Sequence, residues 1–198
     1  MARGVRGGGK PRGRFILIGG GARSGKSRFA LQRALRLGRR RIFLATAQPF
    51  DKEMSERIAR HRDERGAGFT TVEEPLNLPE ALAAITGADV VLIDCLTLWL
   101  SNLLMREEAE APARRRIDEL VRVVSQRRRH IILVSNEVGL GLVPDTPLGR
   151  LFRDLTGYAH QRLSAVADEL YLGAMGQMLR LRPSPVTVVR PPASDRLR

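Results

Sequence analysis

The run Phe15-Ile16-Leu17-Ile18-Gly19-Gly20-Gly21-Ala22-Arg23-Ser24-Gly25-Lys26-Ser27 carries four apolar residues into a cluster of glycines. From Gly20 onward it follows the spacing G-x-x-x-x-G-K-[ST]. A buried strand delivers the chain to a tight loop whose backbone N–H groups turn inward around a phosphate. Glycine allows that curl because it has no Cβ. The helix that follows adds its positive N-terminal end. Lys26 then reaches the β- and γ-phosphates, and the Ser27 hydroxyl takes a place on Mg²⁺. Lysine is scarce in this chain: Lys10, Lys26 and Lys52 are its only examples among 34 basic residues. A glycine-rich turn before an ordinary helix also fits the bare pattern. A strand before it and a helix after it favour the phosphate loop.

Working outward, residues 1–14 read as a flexible basic leader. Phe15–Ile18 is the first strand, and Lys26–Leu37 is a helix with Phe29, Ala30, Ala34 and Leu37 on one face, stopped by Gly38. Arg41–Ala45 is a second buried strand. A polar helix then runs from Asp51, its N-cap, to about Arg62, with thin apolar content (Met54, Ile58, Ala59). It lies on the surface or lines a polar cleft. Phe69–Val72 is a short strand. Asn77–Ile85 reads as a helix with an Asn cap, Pro79 in its first turn and Glu80 at the capping-box position.

Ala88–Asp94 is a buried strand that ends in an acid. In phosphate-loop enzymes such an acid holds Mg²⁺ directly or through water; it also suits the N-cap of a following helix. Thr97–Met105 and Ala113–Arg129 are helical, and His130–Val134 is another buried strand. Its polar end, Ser135-Asn136-Glu137, falls where open α/β sheets bind ligands. Thr146-Pro147 caps a long helix to about Asp168, with Leu148, Leu151, Phe152, Leu155, Ala159, Leu163 and Val166 as its core stripe. Glu169–Leu172 is the last central strand, and Val186–Val189 is an edge strand or tail. Strands alternating with helices predict an α/β, P-loop NTPase-like fold, a mostly parallel central sheet flanked by helices. One domain spans 15–183, followed by a basic Pro-rich tail over 184–198.

The 198 residues carry a net charge of +13. Residues 1–14 hold five basic side chains and no acid. Residues 180–198 hold five arginines against Asp195, so the termini account for nine of the thirteen charges. Tails of this kind attract polyanions weakly and do not make nucleic acid the substrate. No apolar run approaches the ~18 residues that span a bilayer. The single cysteine, Cys95, excludes an internal disulfide and fits a reducing, cytoplasmic setting.

Further matches accumulate in collinear order over about residues 15–183. They include the phosphate loop itself, Ala45-Thr46-Ala47, Arg57-Ile58-x-x-His61-x-x-x-Arg65, Asp94-Cys95-Leu96-Thr97 and Ser101-Asn102-Leu103-Leu104. The most specific block is Val134-Ser135-Asn136-Glu137-Val138-Gly139-Leu140-Gly141-Leu142-Val143-Pro144, continuing through Arg150 and Phe152-Arg153-Asp154 to Ala167-Asp168-Glu169. Together these resemble the bifunctional adenosylcobinamide kinase/adenosylcobinamide-phosphate guanylyltransferase family. The resemblance implies two reactions with Mg²⁺ and GTP, ATP or GTP serving as phosphoryl donor. The aminopropanol hydroxyl of adenosylcobinamide is phosphorylated. GMP from GTP is then joined to that phosphate, releasing pyrophosphate.

The resemblance also assigns residues. GMP rides on a histidine of the polar helix, His61 here. Taken alone, His61 reads as a surface histidine. As a nucleophile it has a suitable pKa range, and Arg60, Arg62 and Arg65 would keep it unprotonated and stabilise phosphate charge. Nucleotide contacts carry over to Gly20, Gly21, Ala22, Arg23, Ser24, Gly25, Lys26 and Ser27. Beyond the loop they carry over to Ala45, Thr46, Ala47, Arg62, Asp63, Glu64, Arg65, Glu73 and Asp94. Lys26 joins His61 as a catalytic residue; Ser27 and Asp94 are the metal ligands. Asp94 stands where the family often has glutamate, so both metal and guanine remain open to it. The family forms a homotrimer. A simple phosphate-loop kinase of a small metabolite shares every feature except the need for His61.

Overall fold

In a computed structural model of the chain, residues 13–189 are described, except 50, 53, 57, 58, 60, 61, 63–65, 107 and 108. The leader through Arg12, the tail from Arg190, and His61, Asp63, Glu64 and Arg65 lie outside the described residues. Eight strands form one sheet in the order β3-β2-β4-β5-β1-β6-β7-β8. They are β1 (Phe15–Gly20), β2 (Arg41–Ala45), β3 (Thr70–Glu73), β4 (Val90–Asp94), β5 (His130–Val134), β6 (Glu169–Ala174), β7 (Gln177–Arg182) and β8 (Thr187–Val189). The first six run parallel, and β7 and β8 add antiparallel at one edge. The helices are α1 (Lys26–Leu37), α2 (Leu78–Ala84), α3 (Leu96–Met105), α4 (Glu110–Ser125) and α5 (Pro147–Val166). Of the polar stretch after β2, residues 52, 54–56, 59 and 62 are helical. No helix among the described residues is long and apolar enough to cross a membrane.

The central strands are continuous apolar runs because both faces are covered. Alternate side chains feed two cores. Ile16, Ile18, Leu92, Ile132 and Val134 pack with Phe29, Ala30 and Ala34 of α1. Phe15, Leu17, Ile93, Ile131 and Leu133 pack with α2, α3, α4 and α5, around the fully buried Trp99. This period of two fixes which face each residue beyond a strand's end will look toward.

Several boundaries differ from the sequence expectation. Asp51 caps its helix as expected, accepting the Met54 N–H at 2.7 Å. Asn77 makes no side-chain cap on α2; the Glu74 carboxylate instead accepts the N–H groups of Leu76 and Asn77 (2.9 and 2.7 Å). The helix expected over 113–129 runs 110–125. Arg127 adopts φ +49° and its guanidinium turns back to Asp168 (2.7 Å), which ends the helix. Leu148, read as core, is exposed in the first turn of α5. β7 was not foreseen. It pairs antiparallel with β6 as a hairpin strand, and the Met175-Gly176 turn between them holds both φ angles positive. β8 pairs with β7, so the sheet extends past Pro183 into the segment read as tail.

Candidate active site

The phosphate loop leaves the carboxyl end of β1, between β5 and β6. Gly25 occupies the N-cap of α1 at φ +86°, a conformation that costs other residues 1–2 kcal/mol, to order of magnitude. Gly20 has φ +154°, and a Cβ there would lie 2.6 Å from the Gly173 carbonyl and 2.8 Å from Ser24 Oγ. The loop therefore sits tightly against β6. Gly21, Ala22 and Arg23 form its exposed crest, while Ser24 and Lys26 are buried. Lys26 Nζ donates to the Gly21 carbonyl at 3.0 Å, which holds the ammonium curled over its own loop.

Lys26 and Ser27 open into a cavity of about 290 Å³. Asp94, at the end of β4, and Asn136, just past β5, join them at that end. Ala45 and Ala47 line it from the end of β2, and Glu73 from β3. Met54, Ala59 and Arg62 of the polar helical stretch form another wall, and Phe43 and Leu98 give an apolar floor. The cavity thus brings the phosphate loop's Lys26 and Ser27 together with Asp94 and with apolar side chains that suit a planar base. Arg62 and Glu73 meet at 3.4 Å across its mouth with both side chains exposed, a contact that contributes little by itself.

Asp94 does not cap α3; that position is Cys95, which makes no side-chain cap. This removes the structural alternative for Asp94 and leaves it lining the cavity. Thr46 differs from its expected role. It is fully buried, its hydroxyl donates to the Cys95 carbonyl and accepts the Cys95 N–H, both at 2.8 Å, and its N–H donates to the Asp94 carbonyl. Asn102 Nδ2 donates to the Thr46 carbonyl at 2.8 Å. Thr46 is a brace between the ends of β2 and β4 that sets the position of Asp94. Burial, and next the charge of Asp94, push the Cys95 thiol up to about 11, so Cys95 lines the cavity as an uncharged, inert group.

The hydroxyl of Ser27 and the carboxylate of Asp94 are hard oxygen donors at one end of one cavity. That set fits Mg²⁺, which is held by one or two protein oxygens plus water and substrate phosphates. Among the described residues no group of three or more His, Cys, Asp and Glu side chains gathers as a dedicated metal cage. The sequence reading missed Phe43, Met54 and Leu98 as cavity residues. Their apolar periodicity looks the same whether a residue faces core or cavity.

Fold and site together define a phosphate-loop nucleotide-binding protein. In structure the chain is similar to the RadB recombinase, at TM-score 0.50 and 14% identity, over 89% of this chain and 86% of that one; that likeness concerns the fold alone. In sequence, residues 16–181 match the family model described as cobinamide kinase / cobinamide phosphate guanyltransferase. The chain is 41% identical to the bifunctional adenosylcobalamin biosynthesis protein CobP of Pseudomonas aeruginosa, over 86% of this chain and 98% of that one. It is 36% identical to the bifunctional CobU protein of Salmonella typhimurium, over 85% and 99% of the two chains. The chain belongs to the cobinamide kinase / cobinamide phosphate guanyltransferase family and is an enzyme of that class.

Proposed function

We propose that the chain phosphorylates the aminopropanol hydroxyl of adenosylcobinamide and transfers GMP from GTP onto the resulting phosphate through a guanylyl-histidine at His61. The observation that carries this reading is the single cavity in which Lys26, Ser27 and Asp94 meet the wall containing Ala59 and Arg62. His61 lies between those last two residues in sequence. In the first half, the loop and Lys26 hold the triphosphate, with ATP or GTP as donor, and stabilise charge on the γ-phosphoryl group. Ser27 and Asp94 would hold Mg²⁺, which would supply neutralisation of phosphate charge. In the second half, an imidazole nitrogen of His61 forms a P–N bond at the α-phosphorus as the bond to the α,β-bridging oxygen breaks and pyrophosphate leaves. An oxygen of adenosylcobinamide phosphate then attacks the same phosphorus, and the P–N bond breaks. Arg62 and Arg65 offset phosphate charge, and Glu73, which lines the cavity, accepts guanine N–H groups, with Asp63 and Glu64 assigned to the same nucleotide.

The reading includes a homotrimer and a cytoplasmic setting. Leu140, Leu142 and Val143, exposed at 85%, 95% and 62% in one loop, support contact with a second copy, because exposed apolar clusters of this kind mark interfaces. Light scattering on the parent and on a Leu140→Asp, Leu142→Asp variant tests it; a parent that elutes as a monomer refutes it. For the chemistry, intact-mass spectrometry follows incubation with GTP and Mg²⁺. An acid-labile GMP adduct is expected on the parent and none on His61→Ala. A parent that binds GTP yet stays unmodified leaves only a simple phosphate-loop kinase.

A further inference from the structure

Ser135, Asn136 and Glu137 prolong β5 beyond its paired residues. Ser135 N–H donates to the Ile18 carbonyl and Glu137 N–H to the Gly20 carbonyl, both at 2.9 Å. The segment therefore stays laced to β1 and to the first glycine of the phosphate motif. Side chains alternate along it. Ile132 and Val134 face α1, and so Asn136 faces the same side, into the cavity with Lys26, Ser27 and Asp94. Ile131 and Leu133 face α5, and so do Ser135 and Glu137.

On that far side a polar unit interrupts the apolar layer. Ser135 Oγ and His160 Nε2 are 2.7 Å apart. His160 Nδ1 lies 3.4 Å from Glu137 Oε2, and Glu137 Oε1 accepts the Gly139 N–H at 2.7 Å. Ser135 is fully buried. Burial holds His160 below the ordinary histidine range, with the Glu137 carboxylate opposing. Near neutral pH its ring is uncharged, with Nδ1–H toward Glu137 and Nε2 receiving the Ser135 hydroxyl. Burying such a chain in an apolar layer costs free energy unless it is fully satisfied. Satisfied, it fixes the residue in the middle, Asn136, from behind. In front, Asn136 Nδ2 donates to Thr97 Oγ1 at 3.0 Å. A carboxamide carries two N–H groups, so this bond sets the rotamer and uses one of them.

The geometry points to Asn136 as a further catalytic residue of phosphoryl transfer, its carboxamide N–H donating to the γ-phosphoryl group over Lys26 and Ser27, with His160 as the positioning residue that holds it through Ser135 and Glu137. The inference rests on the two-reaction function proposed above. The acceptor oxygen bonds to the γ-phosphorus as the bond to the β,γ-bridging oxygen breaks, and the hydroxyl proton passes to water. Asn136 neither takes nor gives a proton. It answers the charge spread over the transferring oxygens.

The two half-reactions are assayed separately on the full chain. One is phosphorylation of adenosylcobinamide; the other is guanylyl transfer to adenosylcobinamide phosphate. Asn136→Ala is expected to lower kcat for phosphorylation ~10- to 100-fold, the range for a lost hydrogen bond to a charged group. The ratio of phosphorylation to guanylyl transfer should fall at least about tenfold, since one reacts at the γ-phosphorus and the other at the α. Asn136→Asp keeps the shape without the donor and should do no better than Asn136→Ala. His160→Ala should lower the same kcat severalfold, and that loss should vanish in the Asn136→Ala background. Equal losses in both half-reactions, a parent-like Asn136→Asp, or an additive His160→Ala would each overturn the inference. A parent that transfers GMP but phosphorylates nothing overturns the underlying function as well, and does so before any variant is made.

Discussion

Replacing Thr46 by valine separates a brace from a ligand. Valine keeps the shape and exchanges a hydroxyl for a methyl at a fully buried position. Two hydrogen bonds disappear, those with the Cys95 N–H and the Cys95 carbonyl, both 2.8 Å. Their losses are unequal. The Cys95 carbonyl keeps the Trp99 N–H at 3.2 Å, so its lost bond costs about 0.5–1.5 kcal/mol. The buried Cys95 N–H loses its hydroxyl partner, and an orphaned donor costs about 1–3 kcal/mol. The added methyl returns about 0.8 kcal/mol of apolar burial. The net is about 2 kcal/mol, or a Tm lower by roughly 4–8 °C for a chain of this size. Calorimetry on the parent, Thr46→Val and Thr46→Ser measures it, with Thr46→Ser retaining most of the stability because it keeps the hydroxyl. Nucleotide affinity, measured by titration well below the Tm, should fall less than the stability does, since the hydroxyl faces the strand ends. A Thr46→Val protein with unchanged Tm and a tenfold weaker nucleotide Kd would refute the brace and restore Thr46 as a direct contact.

Three further outcomes follow from the same structure. Gly20→Ala should abolish measurable nucleotide binding by titration calorimetry while the protein stays folded, because its Cβ would meet the Gly173 carbonyl at 2.6 Å; parent-like binding would show that the loop can yield against β6. Glu169→Gln should lower stability by about 2 kcal/mol at pH 7, since Glu169 accepts from Tyr171 (2.6 Å), Arg33 (2.5 Å) and Arg14 (3.2 Å). Burial alone would raise the Glu169 pKa, but Tyr171, Arg33 and Arg14 outweigh it and hold it low. A depressed carboxylate stabilises above its unfolded value near 4.3, so the Tm gap between parent and variant should be full at neutral pH and close as pH falls below that value; a gap that persists undiminished at pH 3 contradicts the ionic role. Cys95, its thiol pushed up to about 11, should react with a disulfide reagent at pH 8 on the order of 100-fold more slowly in the native than in the unfolded chain, and equal rates would place it on the surface.

What could be read from residues alone depended on whether the pattern had one physical cause. The strands Phe15–Ile18, Val90–Asp94 and His130–Val134 were legible because a strand covered on both faces must be apolar throughout. The phosphate loop was legible because few other needs put Gly20, Gly25, Lys26 and Ser27 at that spacing. β7 escaped because Gln177, Arg180 and Arg182 break up its apolar residues, so it lacks that run. Asn77 has the right chemistry for a cap but makes none, and Glu74 instead holds the N–H groups of Leu76 and Asn77 just before the helix, an arrangement nothing local to the sequence signals. Thr46 and Asp94 show the same limit inside the site. Each is a polar residue at a strand's end, and only the register of β2 with β4, which sets Ala45 opposite Asp94, turns one inward as a brace and the other into the cavity.

The polar end of β5 takes that reasoning one step further. Ser135-Asn136-Glu137 looks in sequence like a single polar patch at a ligand-binding edge. Once Ile132 and Val134 are known to face α1, alternation divides it: Asn136 meets the nucleotide cavity, and its neighbours meet His160. His160 and an asparagine read as one of several polar residues thereby become two sides of one device. The backbone bonds from Ser135 and Glu137 to Ile18 and Gly20 tie that device to the phosphate loop itself. A change at His160, half-buried on the far face of the sheet, should therefore reach the γ-phosphate chiefly through Asn136, which is why the paired substitution is the more exacting test than either one alone.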